Sequence, residues 1–274
     1  MPRSPPASSS ITWPAMPSRL PLSVLVLARD ETRRLESLLP ELAFAEEVVM
    51  VWDPRGPEET RAVAERLAAR VLPREFAGFG PQRQFALAHC GQPWVLWIDA
   101  DERLDPVALD GLRLAVSSSP REAAFTIERR SCFLGRRIRF CGWQGERVLR
   151  LFRRERARFD DALVHERVQV EGPVGRLPGA LEHDPYSTWE ECARKLRDYA
   201  HAGAQSAFAA GKSASPLDVV LRPPLRFLRM YLLQLGLLDG FHGFLVCGLA
   251  AAQVFLKYAE LWTLCRRQVP GEPR

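Results

Sequence analysis

Three apolar runs, "LSVLVLA" (22–28), "VVMVW" (48–52) and "WVLWI" (94–98), alternate with stretches of helical periodicity. That alternation limits the available folds more than any other feature of the chain. Each run is of strand length and apolar but for Ser23, as expected of a strand covered on both faces. Behind Thr32, a candidate cap, Leu35, Leu38, Leu39 and Leu42 recur at helical spacing. Residues 58–70 are helical by pattern, "RVL" (70–72) predicts a short strand, and Pro81 in "PQRQFALAHC" stands in a helix-starting position. Strand and helix in turn predict βαβ units and an α/β fold with a Rossmann-like, mostly parallel sheet flanked by helices.

In such sheets ligands bind beyond the carboxyl ends of the strands. Acids collect at those ends: Asp30 and Glu31, then Asp53, then Asp99, Asp101 and Glu102. Like charges so close repel unless something positive sits among them. In an extended segment Asp99 and Asp101 project to the same side. Oxygen ligands of this kind suit Mg²⁺ or Mn²⁺, which also hold substrate phosphates. The competing reading is that "DADE" caps a helix beginning near Pro106. No GxGxxG follows the first strand, and neither GxxxxGK[ST] nor GxSxG occurs. Dinucleotide, P-loop and hydrolase-elbow readings therefore fail, leaving a nucleotide held through metal and acids.

The net charge of +5 favours anionic partners without choosing among phosphorylated small molecules, acidic lipid and nucleic acid. With 274 residues, 47% of them hydrophobic, the chain can bury a sizeable core. The first 19 residues hold five prolines and five serines and read as a disordered tail. Leu20 to Ala28 is short for a signal-peptide core and runs straight into Arg29, Asp30 and Glu31, so it reads as a first strand. Six scattered cysteines with no CxxC pair read as reduced thiols in a cytosolic chain.

Beyond residue 120 the character changes. "AAFTIERRSCFLG" and "RVLRLFRRE" predict antiparallel strands, and 188–210 predicts a helix. Arg147, Arg150, Arg153 and Arg154 either suit phosphate or form a solvated basic face. Tyr231 to Leu256 is long enough to cross a membrane, with only Asp239 formally charged. A centred Asp costs about 2.5–3.5 kcal/mol on insertion scales, and Gly236, Gly240 and Gly243 surround it. "LLDGFHG" therefore reads as a break between two helices. Arg222, Arg226 and Arg229 among apolar residues form a basic amphipathic pattern, which favours resting on anionic lipid over spanning. Packing of these helices against the rest of the chain or a partner subunit is the plainer alternative.

"SVLVLARDE", "VVMVWD", "GFGPQRQFAL" and "WVLWIDADE" resemble four successive blocks of the family-2 glycosyltransferases with the GT-A fold. "FLGRRIRFCGW", "LRLFRR", "FDDALVHERV", "GPVGRL" and "RPPLRFLRMYLLQLGLLDG" are similar to bacterial enzymes of lipopolysaccharide core synthesis that add a β-linked hexose, typically glucose. The resemblance covers about residues 22 to 262. It implies a tail (1–19), a GT-A domain (20–212), a hydrophobic, basic, membrane-associating helical extension (213–265) and a second tail (266–274). It also implies an inverting, metal-dependent hexosyl transfer. The donor would be a nucleotide sugar, UDP-hexose foremost, and the acceptor a lipid-linked saccharide, with no nucleic-acid partner. The enzyme would lie in the cytoplasm, peripheral on the inner face of the cytoplasmic membrane.

The resemblance assigns Asp99 and Asp101 to the metal and the sugar-nucleotide diphosphate. It assigns Asp53 to the base or ribose, and Glu31 and Arg83 to the neighbourhood of the nucleotide. An inverting transfer needs a carboxylate to take the acceptor's proton. Glu166 of "VHE" is the first candidate, Asp161 the second and Glu146 the third. Glu166 could equally be a surface acid paired with an arginine. His165 reads as a packed histidine, and His183 as structural sooner than as a third metal ligand. The chain departs from the family at "WDPRGPEE", where Pro54 and Pro57 replace small polar residues, and at Gln84, which replaces an Asn. A nucleotidyltransferase and a decayed membrane-bound scaffold are the alternative functions. The first normally needs a Gly-rich basic loop that "LARDETRRL" lacks, and the second is opposed by intact Asp99, Asp101 and Glu166.

Overall fold

The computed structural model describes residues 19–67, 69–160, 168–186 and 188–267. Asp161, His165 and Glu166 lie outside the described residues, as does almost all of each predicted tail. The chain forms two compact units. One takes the chain as far as Trp97 together with 113–120 and 152–171; the other takes 98–112, 121–151 and the chain from Gly172 onward.

In the first unit four strands, β1 (Leu20–Ala28), β2 (Ala45–Trp52), β3 (Arg70–Pro73) and β4 (Trp94–Trp97), run parallel in the order β3-β2-β1-β4. Val24 lies level with Val48 on one side and Leu96 on the other. Leu22, Val24, Leu25, Val26, Val49, Met50 and Val95 have no exposed surface, which explains the unbroken apolar runs. Helices α1 (Thr32–Glu41), α2 (Glu58–Arg66) and α3 (Phe79–His89) connect the strands. Thr32 does not cap α1; it is the first helical residue, and its hydroxyl meets that of Thr60 at 2.7 Å. The second helix ends four residues earlier than its pattern predicts, and Pro81 is the third residue of α3. The pair β9 (Ala157–Phe159) and β10 (Val168–Val170) is antiparallel, with Phe159 opposite Val168.

The second unit contains β5 (Glu102–Leu104), β6 (Ala124–Phe133), β7 (Arg136–Arg137), most of β8 (Arg147–Arg153) and β11 (Val174–His183). Their order is β8-β6-β11-β5, and β7 pairs with β6. β11 runs parallel to β6 and antiparallel to β5, so Ser131, His183 and Glu102 stand side by side across three strands. Helix α4 (Pro106–Ser117) is capped by Asp105, which accepts the Ala108 N–H at 2.7 Å. Gly179, at φ 69°, interrupts β11 where an added Cβ would stand 2.3 Å from the Ala108 nitrogen.

Helices α5 (Trp189–Ala209), α6 (Pro216–Leu228) and α7 (Gly240–Arg267) complete this unit. The predicted break is present: α6 runs into a π turn (Arg229–Leu233), then a 3-10 turn (Gly236–Asp239), before α7 begins. Gly243 is required there, because a Cβ would meet the Gly236 carbonyl oxygen at 1.9 Å. Asp239 is buried, accepting the N–H groups of Arg139 (3.0 Å) and Phe140 (2.8 Å). The lone acid of the apolar stretch is therefore satisfied inside the protein. Phe133, Ile138, Cys141, Cys192, Met230, Val246 and Cys247 pack as one core around it.

Candidate active site

The residues after β4 do not continue the strand. They form a turn in which the Glu102 N–H donates to the Asp99 carbonyl at 3.0 Å. Asp99 and Asp101 are thus not presented by strand alternation, which corrects the extended-segment expectation. The physical reason is Glu102: its carboxylate is wholly buried and accepts the Asp99 N–H at 3.1 Å, which pulls the chain into the turn. Because Asp105 caps α4, the helix-cap reading of "DADE" does not hold.

The positive charge that the crowded acids require comes from Arg150 on β8, itself only 3% exposed. Its Nη2 donates to Glu102 Oε1 at 2.6 Å and to Asp99 Oδ2 at 3.0 Å. Burial raises the Glu102 carboxyl above the ordinary glutamate range, and the Arg150 guanidinium opposes that shift. Arg129 Nη1 adds a second cation 3.8 Å from Glu102, while its other nitrogens clamp Glu146 at 2.7 and 3.0 Å. Glu146, the third candidate base, is therefore held in a bidentate ion pair.

Asp101 faces different partners. Its Oδ2 lies 3.8 Å from His183 Nε2 and 3.7 Å from Lys195 Nζ on α5. Its carbonyl accepts the Asp184 N–H at 2.9 Å, which pins the end of β11 to the turn. Ser131 Oγ lies 3.0 Å from His183 Nδ1 and orients the ring. Burial, reinforced by Arg129, pushes the imidazole down to about 4, so at neutral pH it is uncharged and able to ligate.

The remaining predicted residues belong to the first unit. Asp53 is 3% exposed and accepts from Arg55 Nη2 at 2.6 Å and Nε at 2.9 Å. That bond holds its carboxyl below the usual aspartate range. Glu31 accepts the N–H groups of Arg29 (2.5 Å) and Asp30 (2.9 Å), and burial raises its pKa. Arg83, also buried, stacks over Trp97 at 3.9 Å and Phe79 at 5.2 Å. Gln84 accepts the Phe159 N–H at 2.9 Å, which fixes β9, the strand immediately before the segment bearing Asp161 and Glu166.

Residues 23–167 match the family model described as glycosyl transferase family 2. The chain belongs to that family. It is 30% identical over 251 residues to the lipopolysaccharide core biosynthesis glycosyltransferase LpsC of Rhizobium meliloti (strain 1021), covering 89% of this chain and 93% of the relative. It is 22% identical to an uncharacterized glycosyltransferase of Rickettsia felis (strain ATCC VR-1525 / URRWXCal2), covering 88% and 89% respectively. Among solved structures, the mannosyltransferase PcManGT from Pyrobaculum calidifontis, in complex with GDP-Man and Mn²⁺, aligns with 92% of this chain and 76% of its own. That alignment has 17% identity and a TM-score of 0.46. The fold of this transferase is of the GT-A type: α/β, with a mostly parallel sheet flanked by helices.

Among the described residues of the transferase, no group of three or more His, Cys, Asp or Glu side chains could hold a metal ion. The donor chemistry still fits a hard divalent ion. Asp101 and neutral His183 face each other at a separation two ligands of one ion can span, and Asp99 is the adjacent carboxylate. Mg²⁺ is usually held by one or two carboxylates and completed by substrate phosphate and water.

From sequence, the four arginines of 147–154 suit either phosphate or a solvated basic face. The fold employs each of them internally. Arg147 donates to the carbonyls of Thr126 and Leu177, Arg153 to that of Pro120, Arg154 to that of Cys90, and Arg150 serves the acids. One signal could have exposed Arg150: a cation in a strand beside Leu151 and Phe152, both with no exposed surface, requires a buried carboxylate. Nothing in the sequence marked Ser131 or Lys195.

Proposed function

We propose that this transferase moves a hexose from a nucleotide sugar, UDP-glucose foremost, to a saccharide of the lipopolysaccharide core, with inversion at the anomeric carbon. The observation that carries this reading is the Asp99–Asp101 turn beside His183, braced from behind by buried Arg150. The name of the Rhizobium relative supports the acceptor class.

Asp99 and Asp101, with His183 beside them, would hold Mg²⁺ or Mn²⁺ together with the donor phosphates, and the ion would supply Lewis-acid stabilisation to the departing diphosphate. Arg150 and Glu102 fix the Asp99 carboxylate, and Ser131 fixes the His183 ring, so little reorganisation accompanies donor binding. Glu31, Asp53 and Arg83 are proposed for the nucleotide. Glu166, or else Asp161, takes the proton of the acceptor hydroxyl as it attacks.

We further propose that α6 and the turns after it lie on the cytoplasmic face of an anionic membrane. Helix α6 has no buried residue, and it exposes Leu217, Val220, Leu221, Leu225 and Leu228. Leu233 is 80% and Phe241 68% exposed. Arg222, Arg226 and Arg229 would meet lipid phosphate. Gly236–Arg266 is long and apolar enough to cross a membrane, but the break at Asp239 favours resting on the surface.

Two assays test the reading. Purified protein with Mn²⁺ is expected to release nucleoside diphosphate slowly from UDP-glucose, and Asp101→Ala is expected to abolish release. No release from any sugar nucleotide overturns the catalytic reading. Co-sedimentation with phosphatidylglycerol vesicles but not with phosphatidylcholine vesicles is expected, and no sedimentation with either overturns the membrane reading.

A further inference from the structure

Lys195 has no role in the reading above, yet it is one of the groups that face the Asp101 carboxylate. It is largely buried on α5, its Nζ donating to the Pro185 carbonyl at 2.8 Å and pairing with Glu191 at 3.1 Å. It stands 3.7 Å from Asp101 Oδ2, the same oxygen that His183 Nε2 faces. A buried ammonium is costly unless paired, and this one is paired with the acid assigned to the metal. The choice of lysine is informative. The chain has three lysines against 35 arginines, so arginine is its ordinary cation and this place departs from the rule. An arginine fork would lock onto Asp101 through two hydrogen bonds, whereas an ammonium on a four-carbon stem can change partners. Glu191, one helical turn away, tethers the ammonium whichever partner it takes.

We propose that Lys195 is the resident counter-ion of Asp101 and exchanges that carboxylate for the donor diphosphate when a nucleoside diphosphate binds, which frees Asp101 for a divalent cation. The inference rests on the Asp99–Asp101 turn being the diphosphate seat. It makes Lys195 a specificity device: the turn refuses a divalent cation that arrives alone and accepts one that arrives with a nucleoside diphosphate. A cation without phosphate must displace the ammonium and leave it beside a like charge. With the diphosphate present, the displaced ammonium gains a new anionic partner.

The test uses the full chain and the Lys195→Met variant, with three binding measurements on each. Electron paramagnetic resonance of Mn²⁺ alone is expected to show roughly tenfold tighter binding in the variant, and equilibrium dialysis of UDP in EDTA roughly tenfold weaker binding, within the usual range of coupling between sites. Lys195→Gln repeats both measurements if the Met variant does not fold. Opposite signs are the signature, because a lysine that only anchors α5 would weaken both affinities or change neither. Either of those two results overturns the proposal. The third measurement, UDP with Mn²⁺, separates the failures. If wild type binds them together but the variant behaves like wild type throughout, only the role of Lys195 is lost. If wild type does not bind them together, the diphosphate seat itself is wrong and the inference falls with it.

Discussion

Asp53 and the Asp99–Asp101 turn are both acid sites at the ends of parallel strands, yet their charges are balanced in different ways. Asp53 is neutralised by Arg55, two residues along the chain and half exposed. The turn is neutralised from a distance, by Arg150 some fifty residues away and by Lys195 on a C-terminal helix. A local clamp can be lost with little consequence for the fold. A long-range clamp whose members are buried makes fold and site one object, because removing either partner leaves an uncompensated charge inside.

The largest expected effect tests that distinction. Arg150→Met strands buried Glu102 and should cost about 3–5 kcal/mol of stability in urea unfolding. Adding Glu102→Leu to it should restore most of the loss, and failure to do so breaks the comparison. Asp101→Asn removes a charge from the site but none from the Arg150–Glu102 pair, and Glu191 remains to pair the Lys195 ammonium. Its nucleoside diphosphate release should fall by roughly a hundredfold or more, while its melting temperature stays close to wild type.

A third arrangement, an acid satisfied by backbone N–H groups, sharpens the contrast. Asp239→Asn weakens two buried charge-assisted hydrogen bonds and should cost about 1.5–3 kcal/mol, read from thermal unfolding.

The smallest effect belongs to Arg55→Ala. The folded-state pKa of Asp53 is depressed, so the contribution of Arg55 is fully present above the ordinary aspartate value of about 3.9. It is lost as pH falls through the folded value. The stability gap between wild type and Arg55→Ala should therefore be constant at neutral pH and close in acid. A gap that persists at the acid limit would show that Arg55 acts by something other than charge.

The same division explains what the sequence revealed. The apolar runs of β1, β2 and β4, the helical spacing of Leu35 to Leu42, the strand-end acids and the break at "LLDGFHG" are local patterns, and each is found where the pattern placed it. The partners of the acids are not local. Ser131, His183 and Glu102 meet only because β6, β11 and β5 are neighbours in a particular register. No periodicity encodes that register. The turn at Asp99 is not legible in the local pattern for the same reason: its conformation is set by the buried Glu102 carboxylate and by Arg150, whose place depends on the fold.

Titration calorimetry of uridine and guanosine diphosphate against the full chain, in Mn²⁺ and again in EDTA, tests the central claim most directly. The account predicts that at least one of the two binds roughly tenfold or more tightly with the cation, and that Asp101→Asn erases the gain. Equal affinities with and without Mn²⁺ for both nucleotides, or a gain that survives in Asp101→Asn, would contradict it.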